Sequence, residues 1–285
     1  KLVEPTLFPS FMSFAKRYCD AKHNGFGWDY TGASNLEELY EKLSTVMVRR
    51  KKSEVLKELP EKTRSFVPME LSNTTEYRKA ENAFIAWVKA TKGAAAAEKA
   101  GNAEHLAQIS ALRQLAVKGA LKNAIAWIRD FLDGGDQKLI VMAIHKEIIS
   151  ALMEEFGPLA VKIDGSTPVN SRQGIVEKFQ NDPACRLFVG NIKAAGVGLT
   201  LTAASNVAFL ELPWTPGELD QAEDRAHRIG QKNAVNIWYL LARGTIEEKL
   251  AETIDQKRKV LSATLDGTEM TEGSTLSALM AKYTA

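Results

Sequence analysis

The stretch KLIVMAIHKEIISALMEEFGPLAVKID, residues 138–164, decides the fold class of this chain. It begins with an apolar run of strand length, continues with apolar residues at helical spacing, and ends with a second short apolar run. Strands that are apolar throughout are typical of a parallel sheet buried on both faces, and a helix between two of them forms the crossover. The stretch therefore predicts an α/β domain built on a parallel sheet.

The same alternation of strands and helices continues through residues 135–245. Strands are predicted at RLFVGN, VAFLEL and VNIWYLLA, and helices at PVNSRQGIVEKFQ and PGELDQAEDRAHRI. Because crossovers are right-handed, the helices should cover both faces of one sheet. The ligands of such a sheet bind beyond the carboxyl ends of its strands, which is where a site is expected.

Three other segments flank this α/β lobe. Residues 1–62 read as a helical segment that ends in a basic stretch. Residues 63–134 are the start of this lobe: SFVPMEL, at 65–71, can be a strand that Pro68 would place at an edge or interrupt, and a helical insertion or protrusion follows over 74–133. Residues 246–285 begin with a long amphipathic helix that should brace the lobe and end in a weakly patterned tail.

Composition narrows the class of protein. The 285 residues are 45% apolar and 25% charged with a formal net charge of +2, an ordinary globular balance that does not by itself demand nucleic acid. Two cysteines, Cys19 and Cys185, cannot form a disulfide framework and favour a reducing intracellular setting. No apolar run reaches the length of a membrane span, and the first residues lack the pattern of a signal peptide. We expect no membrane partner and no metal site.

A capped helix is predicted around QAEDRAHRIGQ, the sequence at 221–231. Thr215 is suited to its N-cap, and Gly230 is suited to the left-handed residue that follows its end. Arg225 and Arg228, three positions apart, should then share nearly one face in the last turns. The helix is therefore expected to include both arginines.

Two interpretations of the arginine pair are open. The arginines can compensate the negative end of the helix and pair with Glu211, Glu223 or Asp224. They can instead bind phosphate, because guanidinium groups stay charged, and an arginine at a γ-phosphate stabilises the transition state of phosphoryl transfer. The chain has no G-x-x-x-x-G-K-[ST] loop, and GNIKAAGVGLTLT lacks the Gly-Lys-Ser/Thr ending. A phosphate site would therefore need a cradle on another domain.

Four blocks in a fixed order give the chain a resemblance to a known family. They are RRKKSEVLKELPEK at 49–62, IDGSTPVNSRQGIVEKFQ at 163–180, VGNIKAAGVGLTLTAASNVAFLELPWTP at 189–216, and QAEDRAHRIGQ. They resemble the motifs of the Swi/Snf-related, helicase-like ATPases of superfamily two, and the resemblance spans residues 1–265. FAKRYCDAK, GWDYTGASNLEEL and ELPWTPGELDQAEDRAHRIGQ are most similar to the annealing-helicase (HARP-like) branch. Most of the family has Asp…Trp-Asn-Pro where this chain has Glu211…Trp214-Thr215-Pro216.

The resemblance implies the second RecA-like lobe of a two-lobed motor that uses ATP and Mg²⁺ on double-stranded or forked DNA. The nucleotide would be held mainly by an N-terminal RecA-like lobe of the same parent protein. Arg225 and Arg228 match the two arginines that reach across the cleft to it. The residues implied near the nucleotide are Gln221, Gly196 and Gly198. The residues implied near DNA are Lys193, Thr200, Gly165, Ser166 and Thr167.

Structural alternatives remain open for several of these residues. Thr167 can be the N-cap of the helix that follows it, whatever it binds. Lys193 can be merely solvated, and Gly196 and Gly198 can serve tight turns. The RRKK run can be a solvated helix end, whereas the resemblance implies that residues 1–62 end in a basic inter-lobe linker that contacts the other lobe or DNA. His227 is expected to brace its helix through a hydrogen bond.

Two functions follow from these observations. The first is the C-terminal motor lobe of an ATP-dependent double-stranded DNA translocase of the remodelling or annealing type, inactive without its partner lobe. The alternative is a non-catalytic module, derived from such a lobe, that binds DNA or protein. An unrelated α/β enzyme with a small phosphorylated substrate would need a phosphate cradle that this chain does not contain. The expected location is the nucleus of a eukaryote or the cytoplasm and nucleoid of a bacterium.

Overall fold

The structure is a computed structural model that describes residues 5–23, 27–30, 34–48, 52–91, 98–196 and 198–265. These residues form two compact units. The first contains the residues up to Lys57 and the last helix from Glu252 onward, and the second runs from Glu58 to Ala251. Residues 49–51, three of the four in the RRKK run, lie outside the described residues, so the linker role stays a prediction.

The first unit is mostly helical. Its elements are α1 (Phe11–Tyr18), the short antiparallel strands β1 (Lys22–His23) and β2 (Trp28–Asp29), α2 (Leu36–Ser44) and α3 (Lys52–Val55). Phe8, Phe14 and Tyr18 pack ring against ring. The Tyr18 hydroxyl donates a 2.8 Å hydrogen bond to Glu38 of α2. Aromatic packing and this bond hold α1 against α2.

The second unit contains a six-stranded sheet in which every neighbouring pair is parallel. In chain order the strands are β3 (Lys62–Met69), β4 (Leu139–Ala143), β5 (Ala160–Ile163), β6 (Leu187–Asn191), β7 (Asn206–Phe209) and β8 (Val235–Ala242). Across the sheet the order is β3-β8-β7-β4-β6-β5. The predicted parallel sheet is confirmed, and β3, which contains Pro68, lies at its edge as expected.

Helices connect the strands and cover both faces of the sheet. They are α4 (Thr74–Thr91), α5 (Glu98–Asp133), α6 (Lys146–Phe156), α7 (Val169–Asn181), the one-turn α8 (Ile192–Ala195), α9 (Pro216–Glu223) and α10 (Ile246–Leu265). Consecutive residues of a strand point to opposite faces. Trp238 of β8 packs on Trp127 of α5 with ring centroids 5.6 Å apart, whereas Tyr239 donates a hydrogen bond to Glu223 of α9. α5 and α9 therefore lie on opposite faces.

α4 begins at Thr74 and α5 ends at Asp133, where the sequence predicts that helical structure begins and ends, and the role of these helices as an insertion stays a prediction. Residues 92–97 between the two helices lie outside the described residues. The later part of α5 is a core helix, because its apolar side chains at helical spacing are buried and anchor the insertion to the sheet. They are Ile109, Leu112, Ala116, Val117, Ala120, Ala124, Ile128 and Leu132.

The start of α10 packs onto the lobe. Ile246 and Leu250 are buried, and the Ile246 amide donates a 2.8 Å hydrogen bond to the Tyr77 hydroxyl of α4. The role of the whole 246–285 segment as a brace stays a prediction. α10, like every other helix of the described residues, lacks the combination of length and apolarity that crossing a membrane requires.

Candidate functional sites

The carboxyl ends of the strands carry the first group of predicted site residues. Asn191, the last residue of β6, is the N-cap of α8, and its side chain accepts hydrogen bonds from the Lys193 and Ala194 amides. The same side chain donates a 2.7 Å hydrogen bond to the Ile144 carbonyl oxygen, which joins the ends of β4 and β6. The Lys193 side chain is exposed, so it is placed where an external anion can reach it.

A buried ion pair at this edge joins β4 to β7. Glu211, fully buried, accepts hydrogen bonds from the amides of Ile144 (2.7 Å) and His145 (2.9 Å) and from Nδ1 of the His145 imidazole. Burial would raise the pKa of Glu211, but the bonds and the charge of His145 lower it. The hydrogen bond to Glu211 raises the pKa of His145 and favours the imidazolium. Sequence analysis missed His145, although a histidine directly after a buried strand was a usable signal.

A second buried ion pair links α5 to α10, and its arginine also contacts the segment after β7. Arg113 of α5 is 3% exposed and pairs with Glu247 of α10. Its guanidinium also donates a 2.5 Å hydrogen bond to the Leu212 carbonyl oxygen and lies 5.2 Å from the centre of the Trp214 ring. The segment that leads into α9 is therefore fixed by Arg113 on one side and by the buried Glu211 on the other.

A cavity of about 300 Å³ opens between these groups. Its walls combine the polar side chains of Arg113, His145 and Lys193 with apolar surface from Pro213 and Trp214. Lys193 is the wall residue that the sequence predicted as a DNA contact. The cavity lies beyond the carboxyl ends of the strands, where ligands of a parallel sheet are expected.

The turn between β5 and α7 contains three further predicted DNA contacts, Gly165, Ser166 and Thr167. Asp164, 5% exposed, accepts hydrogen bonds from the amide (2.8 Å) and hydroxyl (2.5 Å) of Ser166 and from the Thr167 hydroxyl (3.3 Å). The bonds from Ser166 hold the pKa of Asp164 well below its usual value. Thr167 is not the N-cap of α7, because its side chain binds Asp164 and the helix begins at Val169 without a side-chain cap. Gly165 and Ser166 are exposed in this turn.

The arginine motif lies on the opposite side of the sheet, near the amino ends of the strands, since it directly precedes β8. We call this side the amino edge and the side of the strand carboxyl ends the carboxyl edge. α9 starts as predicted, with the Thr215 side chain accepting from the Glu218 amide, but it ends at Glu223. The prediction of a helix that includes both arginines is therefore wrong. The Arg225 carbonyl oxygen accepts a 2.9 Å hydrogen bond from the Leu201 amide, and this contact takes the acceptor that a continuing helix would use. The motif forms a turn instead of a last helical segment.

Both arginines of this turn bind the same neutral acceptor. Nη1 of Arg225 and Nη1 of Arg228 donate to the Leu199 carbonyl oxygen at 3.2 and 3.3 Å. Nε of Arg225 donates a 3.0 Å hydrogen bond to the carbonyl oxygen of Gln221, an exposed residue. Burial and the neighbouring charge of Arg228 lower the pKa of the partly buried Arg225. Arg228 is exposed.

The carboxylates that could neutralise the arginines are bound elsewhere. Glu211 pairs with His145 at the other edge, and Lys62 binds both Glu223 and Asp224. Among the described residues, neither arginine forms an ion pair, and their side-chain hydrogen bonds go to main-chain carbonyl oxygens. The interpretation in which Glu211, Glu223 or Asp224 pairs with the arginines is not realised.

The loop between α8 and β7 contains the glycines that the sequence placed near a nucleotide. Gly196 closes α8, Gly198 has a φ of 76°, a left-handed conformation that favours glycine, and Thr200 is partly buried. The Gln231 side-chain amide donates a 2.9 Å hydrogen bond to the Ala204 carbonyl oxygen and so ties this loop to the motif. Sequence analysis gave Gln231 no role. The glycine loop and the arginine turn therefore form one structure.

Comparison with known proteins gives the family. Residues 123–230 match the helicase conserved C-terminal domain. The chain is 42% identical, over 91% of its length, to the SWI/SNF-related matrix-associated actin-dependent regulator of chromatin subfamily A-like protein 1 of Xenopus laevis. It is 38% identical, over 92% of its length, to the DNA annealing helicase and endonuclease ZRANB3 of Mus musculus. The chain contains the helicase conserved C-terminal domain and is homologous to SWI/SNF-related helicases. This SWI/SNF-related chain spans 27% and 25% of the lengths of those two relatives.

Solved structures of SWI/SNF ATPases have the fold of this SWI/SNF-related lobe. The C-terminal part of the Fun30 ATPase domain matches with a TM-score of 0.61 at 18% identity, covering 79% of this chain and 99% of that one. The Sulfolobus solfataricus SWI2/SNF2 ATPase core, solved in complex with double-stranded DNA, matches with a TM-score of 0.57 at 24% identity, covering 90% of this chain and 56% of that one. The predicted RecA-like fold is confirmed.

Proposed function

We propose that this SWI/SNF-related lobe is the C-terminal motor lobe of an ATP-dependent double-stranded DNA translocase of the remodelling or annealing type. Arg225 and Arg228 act in it as arginine fingers. The observation that carries the proposal is the pair of guanidinium groups on the neutral Leu199 carbonyl oxygen. Because a phosphate oxygen carries negative charge and phosphate matches the planar guanidinium fork, a phosphate oxygen can replace this neutral acceptor.

The arginine turn fits the γ-phosphate of ATP, but the chain does not supply the rest of an ATP site. In other nucleotide hydrolases one arginine finger contributes about 10³–10⁵ in rate, because it neutralises charge that develops in the transition state. The chain has no P-loop sequence, so ATP and Mg²⁺ would be held mainly by an N-terminal RecA-like lobe of the parent protein. Mg²⁺ would supply further charge neutralisation there. Gln221, Gly196 and Gly198 would form this lobe's side of the cleft around the arginines.

DNA backbone contacts are proposed for the exposed residues Lys193, Gly165 and Ser166, together with Thr200 and Thr167. The name of ZRANB3, a DNA annealing helicase, and the Sulfolobus core solved with double-stranded DNA support DNA as the partner. Ser166 and Thr167 would reach a phosphate only when their hydroxyls turn away from Asp164, to which they donate in this structure. Contacts to phosphate are independent of sequence and weaken with salt.

An ATPase assay of the full-length parent protein, with and without duplex and forked DNA, tests the proposal. Arg225→Ala and Arg228→Ala should each lower the DNA-stimulated kcat by about 10³-fold or more. Arg129→Ala is the matched control and should keep the wild-type rate. It removes an arginine that pairs with Glu155 and lies far from the turn in sequence. Wild-type turnover in both finger variants would refute the assignment.

The same assay separates the motor from its alternative. The chain alone should show no appreciable ATPase activity, because it has no P-loop. A parent protein that binds DNA but hydrolyses no ATP in any condition would favour the non-catalytic DNA- or protein-binding module.

A further inference from the structure

Two basic side chains of the edge strand β3 bind the acidic side chains at the end of α9. The Lys62 ammonium lies 2.9 Å from Glu223 Oε2 and 3.3 Å from Asp224 Oδ1. The Arg64 guanidinium lies 2.6 Å from Glu223 Oε2 and 3.1 Å from Asp220 Oδ1. Since Lys62 and Arg64 are two positions apart on a strand, both point to the face that α9 covers. They therefore form one basic clamp, Lys62 and Arg64, on three carboxylates.

The clamp is reinforced from the main chain and from β8. Nε2 of His227 donates a 2.7 Å hydrogen bond to the Pro60 carbonyl oxygen, just before β3. The Tyr239 hydroxyl donates a 2.7 Å hydrogen bond to Glu223 Oε1. The predicted hydrogen-bond brace at His227 exists, but it connects the arginine turn to the segment that enters β3. The turn is therefore bonded to the start of the lobe on both sides of Arg225.

Because Glu223 is buried, the loss of these contacts would be destabilising. The Glu223 side chain is fully buried, and its carboxylate needs charge partners in that position. The Lys62 side chain is only 15% exposed. A carboxylate that lost one of these partners would gain by pairing with another cation, and Arg225 directly follows Asp224 in the chain.

We propose that Lys62 and Arg64 are positioning residues for Arg225 and Arg228. They fix the end of α9 on the edge strand, and they keep the carboxylates of Asp220, Glu223 and Asp224 away from the two arginines. The inference rests on the proposed function, because it assumes that the arginines must be available to an external phosphate. The clamp lies outside the arginine motif, so it is a contribution of β3 to the ATP site.

The test uses the full-length parent protein with ATP and duplex DNA. Arg64→Met should lower kcat by about ten- to a hundredfold, the range that small misplacements of reacting groups produce, and should change the KM for ATP much less. Arg64→Lys should recover most of the rate because it restores a cation. Hydrogen exchange of peptides over 221–231 should be faster in Arg64→Met than in wild type and unchanged in Arg129→Met. A lower melting temperature with an unchanged kcat per folded enzyme would overturn the proposal.

A milder variant covers the case in which Arg64→Met does not fold. Tyr239→Phe removes the hydroxyl that donates to Glu223 and keeps the ring, so it should change kcat and the exchange of 221–231 in the same direction by a few-fold. Wild-type values for both readouts would overturn the proposal. Arg228→Ala is assayed in parallel: an inactive Arg228→Ala beside a fully active Arg64→Met rejects the clamp alone, whereas an active Arg228→Ala rejects the finger assignment itself.

Discussion

The two edges of the sheet use their charged side chains differently. At the carboxyl edge, Glu211 is closed against His145, and Arg113 is closed against Glu247. At the amino edge, the carboxylates of the motif are bound by β3, while among the residues that the structure describes the side chains of Arg225 and Arg228 donate to main-chain oxygens. At the carboxyl edge, the charged side chains hold the strand ends together. At the amino edge, two cations are available to an anion from outside the chain.

The charged side chains of the carboxyl edge therefore stabilise the fold, whereas the arginines of the amino edge are available to bind a ligand. A buried pair is costly to break, since the remaining charge has no water to return to. An exposed guanidinium on a carbonyl oxygen contributes little to folding and can change its acceptor. The contrast predicts that substitutions at the carboxyl edge act on stability, whereas substitutions at the arginine turn act on the activity of the parent protein.

The largest expected effect breaks the buried pair at the carboxyl edge. Arg113→Met should lower the free energy of unfolding of this chain by about 3–5 kcal/mol, because Glu247 stays buried without its charge partner. Arg228→Met should change it by no more than about 0.5 kcal/mol, since Arg228 is exposed. Urea unfolding followed by circular dichroism measures both. Equal losses in the two variants would remove the contrast, and the double variant Arg113→Met/Glu247→Met should be more stable than Arg113→Met alone.

The next effect concerns the carboxylate that holds β4 to β7. Glu211→Gln keeps the size of the side chain but removes its negative charge, so the charge-assisted hydrogen bonds from the Ile144 and His145 amides and from the His145 imidazolium are weakened or lost. The expected loss is about 1–3 kcal/mol in the same unfolding experiment. Glu218→Gln, on the partly buried start of α9, is a matched control that should stay near wild type. A stable Glu211→Gln would show that this pair does not hold the strand ends.

A smaller effect depends on pH. The pKa of His145 is raised by its hydrogen bond to Glu211, so the folded state binds a proton more tightly than the unfolded state does. The stability from this pair is fully present below about pH 6.5, the unfolded value, and is lost as the pH rises through the folded pKa. The difference in unfolding free energy between wild type and His145→Gln should shrink as the pH rises above about 6.5. A constant difference would contradict the charged pair.

The smallest effect on the fold is expected at Lys193. Lys193→Ala should leave the stability of the chain within about 0.5 kcal/mol of wild type. In the parent protein it should weaken DNA binding about equally for all sequences and reduce the salt dependence by about one phosphate contact. Lys118→Ala is the control, because it removes a lysine of α5 that pairs with Glu147 of α6. A strongly sequence-dependent loss would contradict a phosphate contact.

The architecture could be predicted because its signals are local. Apolar runs of strand length marked the buried strands, and Pro68 marked the edge strand. The limits of the insertion were also visible, since helical spacing begins after Ser72 and stops at the DGG of 133–135. Each of these signals lies within a short stretch of the sequence.

The site was less predictable because its partners are far apart in sequence. Capping rules correctly gave the start of α9 at Thr215, but its end depends on Leu201, on a different loop, and on Lys62, on a different strand. The role of His145 depends on Glu211, 66 positions later, as its backbone contact shows. No local pattern contains such pairs. The finger and DNA roles themselves remain predictions that only the assays above can test.

β8 lies between β7 and β3, the first strand of the lobe, and Thr63 and Asn236 are hydrogen-bonded across 173 positions. During synthesis, β3 therefore leaves the ribosome long before its neighbour in the sheet, by roughly 10–35 s at about 5–20 residues per second. A strand that waits unpaired is a template for association with other nascent chains. Lys62 and Arg64, charged and on one face of that strand, are suited to discourage such pairing until the lobe closes.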